Sequence, residues 1–252
     1  MPLAPSIAVI TPVRNGMPWL RETLDSIRAQ NYKPLELVMV DDGSTDGTLD
    51  YLHSLNGLVS RLLRLDGLGP AAARNAGIQA SSSEFIAFLD ADDLWPPGIL
   101  PPLSRALAAN PPAGFARGLI RNFRTRPDGG KEYFTKPYRF VNLGACLWRR
   151  SLFAGVGLLD EGLTLCEDLD FLTRCWEKDV PRVDLDLVTL FYRRHQGGMT
   201  HGLSGAGLGT VKAYKRRIER IRAGEFDPAR PRQFDVQLYL GDPPARQDDP
   251  LP

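Results

Sequence analysis

The sequence predicts an α/β domain built on a doubly wound, mostly parallel central sheet flanked by helices. A smaller β element and a C-terminal helix follow it. Three observations lead there. Short apolar runs alternate with helical patterns from the N-terminus to Asp93, the order of repeated β-α units that produces a parallel sheet. The run Phe85-Ile86-Ala87-Phe88-Leu89 is apolar at successive positions, as a strand covered on both faces requires. Two of the runs end in acids, and open α/β sheets place their ligands at the carboxyl ends of strands.

The elements follow in order. Ile7-Ala8-Val9-Ile10-Thr11-Pro12-Val13 reads as the first buried strand, ended by Arg14-Asn15-Gly16. Trp19, Leu20, Leu24 and Ile27 share one face of a helix over about 18–30, with Pro18 suited to its start. Leu35-Glu36-Leu37-Val38-Met39-Val40 is a second strand, running into Asp41-Asp42-Gly43-Ser44. Asp46-Gly47-Thr48 opens a helix reaching about Leu55, and Leu62-Leu63-Arg64-Leu65 is a short third strand. Gly69-Pro70 leads into a helix of small residues, and the 85–89 strand follows. Pro96-Pro97 prevents simple continuation of that strand.

Further helices are expected over 99–109 and 167–178, and strands over Phe115–Thr125, 132–140 and 183–192. Residues 196–209 are rich in glycine and read as a mobile loop. Val211, Tyr214, Ile218 and Ile221 then stripe a basic helix. The expected organisation is one domain over 1–202 in two halves, 6–110 and 111–202. A basic helix over 203–224 and a poorly ordered Pro- and charge-rich tail over 225–252 complete it.

The bulk numbers exclude several classes. With 252 residues, 43% hydrophobic and 24% charged, the composition is that of an ordinary globular chain. Lys+Arg 31 against Asp+Glu 30 gives a net charge of +1, so bulk charge does not argue for a nucleic-acid partner. Cys146, Cys166 and Cys175 have neither metal-ligand spacing nor a disulfide pattern, which fits a reducing compartment. The N-terminus lacks the basic stretch of a signal peptide, and no run approaches a membrane span. The expected location is cytoplasmic, with association at the inner face of a membrane left open. Oligomeric state is also left open.

Six constellations carry chemistry. Asp90-Ala91-Asp92-Asp93 places three carboxylates at a buried strand's end, where they repel unless something positive sits among them. A divalent cation holding a phosphate answers that need, since Mg²⁺-type sites use one or two carboxylates and let phosphates complete the shell. The competing account is a solvated polar turn. Asp41-Asp42 repeats the pattern, and a carboxylate there can accept from a pyrimidine N–H or a ribose hydroxyl. A turn with a helix cap is the alternative, and both hold if Thr45 or Asp46 caps while Asp42 reads a base. Gly67-Leu68-Gly69-Pro70-Ala71-Ala72 matches a dinucleotide fingerprint, but it follows the third strand and has a proline inside the tight turn. Close packing of the loop, with Arg74 meeting a phosphate, explains it better.

Glu167-Asp168 opens a helix, where acids are favoured electrostatically, so capping competes with catalysis. The helix dipole lowers the pKa that a strong general base wants raised, so Asp168 works as a base if the proton leaves late. His195 follows a strand and an Arg pair, and is either a metal or phosphate contact or a structural histidine, with His201 as the spare. The helix carrying Lys212, Lys215, Arg216, Arg217, Arg220 and Arg222 either docks on anionic lipid or packs its apolar stripe on the domain or a partner subunit, the latter being preferred.

Five segments together resemble family 2 glycosyltransferases of the GT-A fold. They are Ala8-Val9-Ile10-Thr11-Pro12-Val13-Arg14-Asn15, Leu20-Arg21-Glu22-Thr23-Leu24-Asp25-Ser26-Ile27, Val40-Asp41-Asp42-Gly43-Ser44-Thr45-Asp46-Gly47-Thr48, Ala73-Arg74-Asn75-Ala76-Gly77 and Phe88-Leu89-Asp90-Ala91-Asp92-Asp93. The resemblance runs from about 6 to 201 and is looser after 110, where it rests on Asp160-Glu161, Glu167-Asp168 and Tyr192-Arg193-Arg194-His195. It implies a nucleotide-sugar-binding half over 6–110, an acceptor half over 111–202, a nucleotide-diphosphate sugar donor and Mn²⁺ or Mg²⁺. Carried over by position, Thr11, Pro12, Val13, Arg14 and Asp42 would hold base and ribose, and Arg74 would lie near the diphosphate. Asp90 and Ala91 begin the DXD motif. Asp92, with Asp93 close by and His195, would meet the metal, and Asp168 next to Glu167 would be the catalytic base. Arg14 stands where the family usually has an aromatic residue, so it would stack its guanidinium or meet a phosphate. The family's Asn near Gly67 is missing.

The resemblance implies an inverting, metal-dependent glycosyltransferase, with a UDP-sugar as the expected donor. The acceptor would be a carbohydrate or other hydroxyl in polysaccharide, glycolipid or glycoconjugate synthesis, with 142–150 shaping its pocket. Two other classes compete: a Mg²⁺-dependent phosphoryl-transfer or receiver-type domain, which gives Glu167-Asp168 no task, and a non-catalytic nucleotide-sugar-binding relative.

Overall fold

The structure is a computed structural model and describes residues 4–55, 57–199 and 208–243. The first half follows the expected alternation: β1 (Ile7–Val13), α1 (Leu20–Arg28), β2 (Leu35–Asp42), α2 (Thr48–Ser54), β3 (Arg61–Leu65), α3 (Pro70–Ala80), β4 (Phe85–Phe88) and α4 (Leu100–Ala108). The second half adds β5 (Phe115–Thr125), β6 (Lys131–Tyr133), a 3-10 turn (Leu143–Ala145), β7 (Cys146–Arg149), α5 (Arg150–Val156), α6 (Glu167–Glu177), β8 (Arg182–Arg193), α7 (Leu208–Arg222) and α8 (Val236–Leu240). One sheet runs β3-β2-β1-β4-β7-β5-β6, with β8 paired to β5. Strands β1 to β4 are parallel, β7 is antiparallel to both β4 and β5, and β8 is parallel to β5.

Alternation along each strand explains the continuous apolar runs. Ile7 and Val9 face α1 and α4, packing with Leu20, Leu24, Ile27, Leu100, Leu103 and Leu107. Ala8 and Ile10 face the other way, into a layer with Ala71, Ala73, Phe153, Phe171 and Leu172. Burying each large side chain on either face stabilises the fold by about 1.5–3 kcal/mol. The small-residue face of α3 has a steric reason. A Cβ at Gly77 would lie 2.4 Å from Ile10 Cγ2, so glycine lets α3 press onto β1.

The second half departs from expectation in four places. Residues 142–150, expected as a pocket-shaping segment, form a turn, a core strand and the start of α5. Cys146–Arg149 is a strand wedged between β4 and β5 with Trp148 fully buried, and Asn142 accepts from the Gly144 N–H to hold the preceding turn. Four residues are too few to show a period, so this strand was invisible in the sequence. The strand expected over 132–140 closes at Tyr133. Pro137 has no N–H to continue a ladder, and Tyr138 returns only as an isolated bridge to Ile120.

The tail is not loose as far as 243. Tyr239 is fully buried, and the Trp176 indole donates to the Phe234 carbonyl. The buried Arg117 guanidinium donates to the Leu238 and Leu240 carbonyls at the end of α8. Finally, α7 does not pack its apolar stripe on the domain. Val211, Tyr214 and Ile218 are exposed, and only Ile221 of the stripe joins the core. Arginines make the contact instead, as detailed below. Among the described residues no helix is long and apolar enough to cross a membrane. The expected glycine-rich loop lies partly, and His201 wholly, outside the described residues.

Candidate active site

The sheet order reverses between β1 and β4, because the chain winds from β1 out to β3 and then returns to the other side of β1. Such a switch point opens a crevice at the carboxyl ends of the strands. The ends of β1, β2 and β4 carry Thr11 to Arg14, Asp42 and Asp90 to Asp93, while Arg74 lies on α3, Glu167 and Asp168 open α6, and His195 follows β8.

At the end of β1, Thr11 and Val13 are buried, Pro12 is half-buried and Arg14 is exposed. The Thr11 hydroxyl is buried without a hydrogen-bond partner among the described residues. Asn15 ties this loop to the next: its N–H donates to Ser44 Oγ and its side-chain oxygen accepts from the Thr45 N–H. Asp46 accepts from the Met17 and Thr48 N–H groups, so Asp46 rather than Thr45 stabilises the start of α2.

Asp42 is nearly buried, and both its oxygens are engaged. Oδ1 accepts from the Leu68 N–H at 2.7 Å and Oδ2 from the Gly69 N–H at 2.8 Å. The glycine loop that imitated a dinucleotide fingerprint is therefore a brace between β2 and α3. Gly67 and Gly69 supply the positive φ values, 74° and 95°, that the bend needs. Arg14 lies against this loop, its Nη1 3.6 Å from where a Gly67 Cβ would stand. Asp41 is fully buried. Its Oδ2 accepts from the Ser44 N–H, while Oδ1 has no partner among the described residues.

Asp90, Ala91, Asp92 and Asp93 form the loop after β4, and its backbone is held from two sides. The Thr23 hydroxyl on α1 lies 2.9 Å from the carbonyls of both Ala91 and Asp93. Arg193 at the end of β8 donates from Nε to the Asp92 carbonyl at 2.7 Å. The Arg193 guanidinium is fully buried. It also reaches Glu22 at 2.6 Å and Thr125, and stacks against the rings of Trp19 and Phe123.

The three acids diverge. Asp90 accepts from Arg74 at 2.5 Å. Asp92 Oδ2 meets His195 Nε2 at 2.9 Å, and the Trp19 ring lies 5.3 Å from the imidazole. Asp93 is buried and turned towards β8, accepting the Arg193 N–H at 2.8 Å. Burial, then the charges of Asp92 and Asp90, raise its pKa well above the usual carboxylate range. Asp93 is thus a brace for the loop, which leaves the part-exposed Asp92 and His195, bonded to each other, as the pair that could hold a metal. Among the described residues no cluster of three or more His, Cys, Asp or Glu side chains forms a ready-made metal site. Two protein ligands fit a cation whose remaining positions are filled by phosphate oxygens.

Arg74 ties α3 to the acid loop after β4 and to the start of α6. It is buried, with Nη2 on Asp90 and Nη1 on Glu167 at 2.6 Å. Burial alone would lower its pKa, but the two carboxylates overcome that and raise it. The neighbouring Asn75 holds the other flank, donating to the Leu159 carbonyl and to Glu161. Glu167 is therefore committed to Arg74 and does not cap α6, whose N-cap is Cys166 in the left-handed region without a side-chain cap.

Asp168 lies beside Glu167 at partial exposure. Burial of its carboxyl, and then the charge of Glu167, push its pKa up to about 7, with Asp90 adding to the effect. A hydrogen bond from the Leu169 N–H and the charge of Arg74 oppose this without reversing it. Desolvation and like charge thus outweigh the helix N-terminus, and the expected handicap of Asp168 as a base disappears.

Sequence reasoning missed Arg193, Glu22, Trp19 and Thr23. Only the adjacency of Arg193 to His195 hinted at a role. The others look like ordinary residues of an amphipathic helix. A cavity of about 650 Å³ between Tyr138, Arg139, Arg182 and Asp184 contains none of the site residues. The site is recognised by its chemistry rather than by its volume.

Comparison with known proteins places this geometry. The family described as glycosyl transferase family 2 matches residues 8–155, more than half of the chain. Glycosyltransferase GlyA of Streptococcus pneumoniae serotype 4 is 40% identical over 89 residues, covering 34% of this chain and 13% of that protein. TarS of S. aureus, solved with UDP-GlcNAc, superposes with a TM-score of 0.68 at 20% identity, covering 88% of this chain and 67% of that one. The mannosyltransferase PcManGT of Pyrobaculum calidifontis, solved with GDP-Man and Mn²⁺, superposes with a TM-score of 0.67 at 21% identity, covering 86% of this chain and 65% of that one. These two likenesses show the fold, which is the expected GT-A arrangement. The chain spans between 13% and 47% of the length of the curated relatives it matches.

Proposed function

The chain belongs to glycosyl transferase family 2, and on that premise we propose that it moves a sugar from a nucleotide-diphosphate donor to an acceptor hydroxyl with inversion. The observation that carries this reading is the relay Asp90–Arg74–Glu167, which connects the acid loop of the donor half to a carboxyl, Asp168, with a pKa of about 7. A solvated turn would need neither the buried arginine nor the raised carboxyl.

Thr11, Pro12, Val13 and Arg14 with the Asp42-braced loop form the base and ribose side of the donor site. Arg74 offers its charge beside the diphosphate, next to Asp90 and Ala91. Asp92 and His195 would hold Mn²⁺ or Mg²⁺, a Lewis acid that stabilises the departing diphosphate when bound. Asp168 takes the proton of the attacking hydroxyl, which approaches the anomeric carbon from the face opposite the leaving group. A carboxylate with a pKa near 7 is ionised often enough at neutral pH and basic enough to accept that proton.

A UDP-sugar is the first donor to try. TarS was solved with UDP-GlcNAc and the mannosyltransferase with GDP-Man and Mn²⁺, so both nucleotides belong in the test. The acceptor is proposed to be a carbohydrate or another hydroxyl of a glycoconjugate. The experiment is thermal unfolding against UDP, GDP, dTDP, CDP and NAD, with and without Mn²⁺. A ligand at about a hundred times its dissociation constant adds roughly 2.7 kcal/mol. A Mn²⁺-dependent rise with one diphosphate is expected. No response to any diphosphate, or a metal-independent response to NAD, would overturn the reading.

A further inference from the structure

We propose that the outward face of α7 is a docking surface for an anionic lipid bilayer. The helix is amphipathic in an inverted sense. Its inward side is cationic and fully partnered: Arg216 meets Asp160 at 2.7 Å, Arg220 meets Glu177 and Asp170 at 2.8 Å each, and Arg217 lies over Trp176 and Phe226. Its outward side is apolar and cationic at once. Val211 and Tyr214 are 65% and 61% exposed and Ile218 37%. Lys212, Lys215 and Arg222 are also exposed, and none of them forms an ion pair among the described residues. At about 100° per residue, Val211, Lys215, Ile218 and Arg222 fall within about 60° of one another, with Tyr214 alongside. The apolar side chains therefore share one stripe with Lys215 and Arg222, and Lys212 stands beside it, about 100° from Val211.

A helix that only covered the domain would turn Val211, Tyr214 and Ile218 inward and its charges outward. Here the arginines are anchored by acids of α6 and the preceding turn, which fixes the apolar stripe towards the outside. The charge on that stripe chooses the occupant. The nearby acid, Glu219, is engaged with Arg216 at 3.1 Å. A second copy docked by two-fold symmetry would set the Lys215 and Arg222 cations of one copy against the same cationic stripe of the other. An anionic headgroup layer supplies the counter-charge, and the acyl boundary beneath it takes the valine, isoleucine and tyrosine ring while the lysines extend to the phosphates. With 15 residues, α7 is roughly 22 Å long and lies along such a surface rather than crossing it.

The position of α7 gives this surface a use. Its first turn abuts the chain just before Glu167-Asp168: a Cβ at Gly209 would stand 2.9 Å from Leu165 Cβ, and the Thr210 hydroxyl lies 3.9 Å from Cys166 Sγ. A bilayer seated on α7 would bring acceptor hydroxyls carried on lipid to the side of the crevice where Asp168 stands. That last step rests on the function proposed above, whereas the docking surface does not.

The test is co-sedimentation of the full chain with phosphatidylcholine vesicles and with vesicles of equal parts phosphatidylcholine and phosphatidylglycerol, at low and high salt. Binding is expected to the phosphatidylglycerol vesicles and to weaken with salt. A cation near an anionic surface is worth about fivefold in partition, so K212E/K215E/R222E should lose about 100-fold or more. V211S/Y214S/I218S should lose at least about tenfold. Both variants should unfold at the wild-type temperature, since the altered side chains are exposed. Failure to bind phosphatidylglycerol vesicles, or binding that both variants retain, would overturn the proposal. So would a concentration-dependent dimer that V211S/Y214S/I218S abolishes, because a second copy would then own the face. The UDP and Mn²⁺ thermal shift, run on the same preparation, separates a failure here from a failure of the transferase reading.

Discussion

Replacing Asp168 with Asn keeps the shape of the side chain and removes its ionisable group. Two consequences follow from the same physical cause. The proposed general base is lost, so turnover should fall by about 10²- to 10⁴-fold while the Mn²⁺-dependent nucleotide response stays intact. Stability should change as well, in a pH-dependent way. The folded carboxyl titrates at about 7 against an ordinary value of 3.8. A carboxyl with a raised pKa contributes stability fully below the unfolded value and loses that contribution as pH rises through the folded one. Between pH 5.5 and pH 8 the wild type should therefore lose about 2 kcal/mol that the Asn variant keeps. For a chain of this size about 2 kcal/mol corresponds to roughly 4–8 °C. The assay is thermal unfolding of both proteins at the two pH values. The Asn variant should gain on the wild type at pH 8 relative to pH 5.5 by that amount. A Tm difference that does not depend on pH would refute the raised carboxyl, and near-normal turnover of the variant would refute its role as base.

The remaining predictions test other parts of the site and fold. Wild-type turnover should fall about tenfold per pH unit below about 7, read from a pH-rate profile, because only ionised Asp168 accepts the proton. Arg74→Met should destabilise the chain by about 3–5 kcal/mol in denaturant unfolding, since it leaves Asp90 and Glu167 without their cation. The same change should raise the pKa of Asp168 further, because Arg74 now holds it down. Asp92→Asn and His195→Ala should each reduce the gain in nucleotide affinity that Mn²⁺ confers, measured by calorimetry with metal and with chelator; an unchanged gain would remove both as ligands. Gly77→Ala should cost about 1–3 kcal/mol, because its Cβ would stand 2.4 Å from Ile10 Cγ2, and the same change should cost less when made in an Ile10→Ala background.

Much of the first half of the chain was legible because its signals are local. The strands β1, β2 and β4 declare themselves by unbroken apolar runs, and α1 by Leu20, Leu24 and Ile27 on one face. The acids at strand ends gained meaning from the sheet order that such an alternation requires. The second half was less legible because its elements are short or irregular. Strand β7 has four residues, and the segment beyond Phe226, rich in proline and charge, hides Phe234 and Tyr239, which anchor it to α6 and β5. The stripe on α7 was read correctly as a stripe and wrongly as the packing face. Periodicity shows which residues share a face, and only the positions of Asp160, Asp170 and Glu177 decide which face turns inward.

The sequence by itself determined the alternating architecture, the family and the set of carboxylates gathered at one end of the sheet. These depend on neighbours in the chain, where strand and helix periods and strand-end positions act. Only the tertiary structure decided how the acids divide their work. Asp42 braces the glycine loop, Asp93 is buried against Arg193, Asp92 pairs with His195, and Asp168 is raised by burial and by Glu167. Each of those assignments rests on a partner about 25 to 100 positions away or on the local loss of water. Neither distance in space nor desolvation is written in the spacing of residues, so identical carboxylates in the sequence become chemically different groups only once the chain has folded around them.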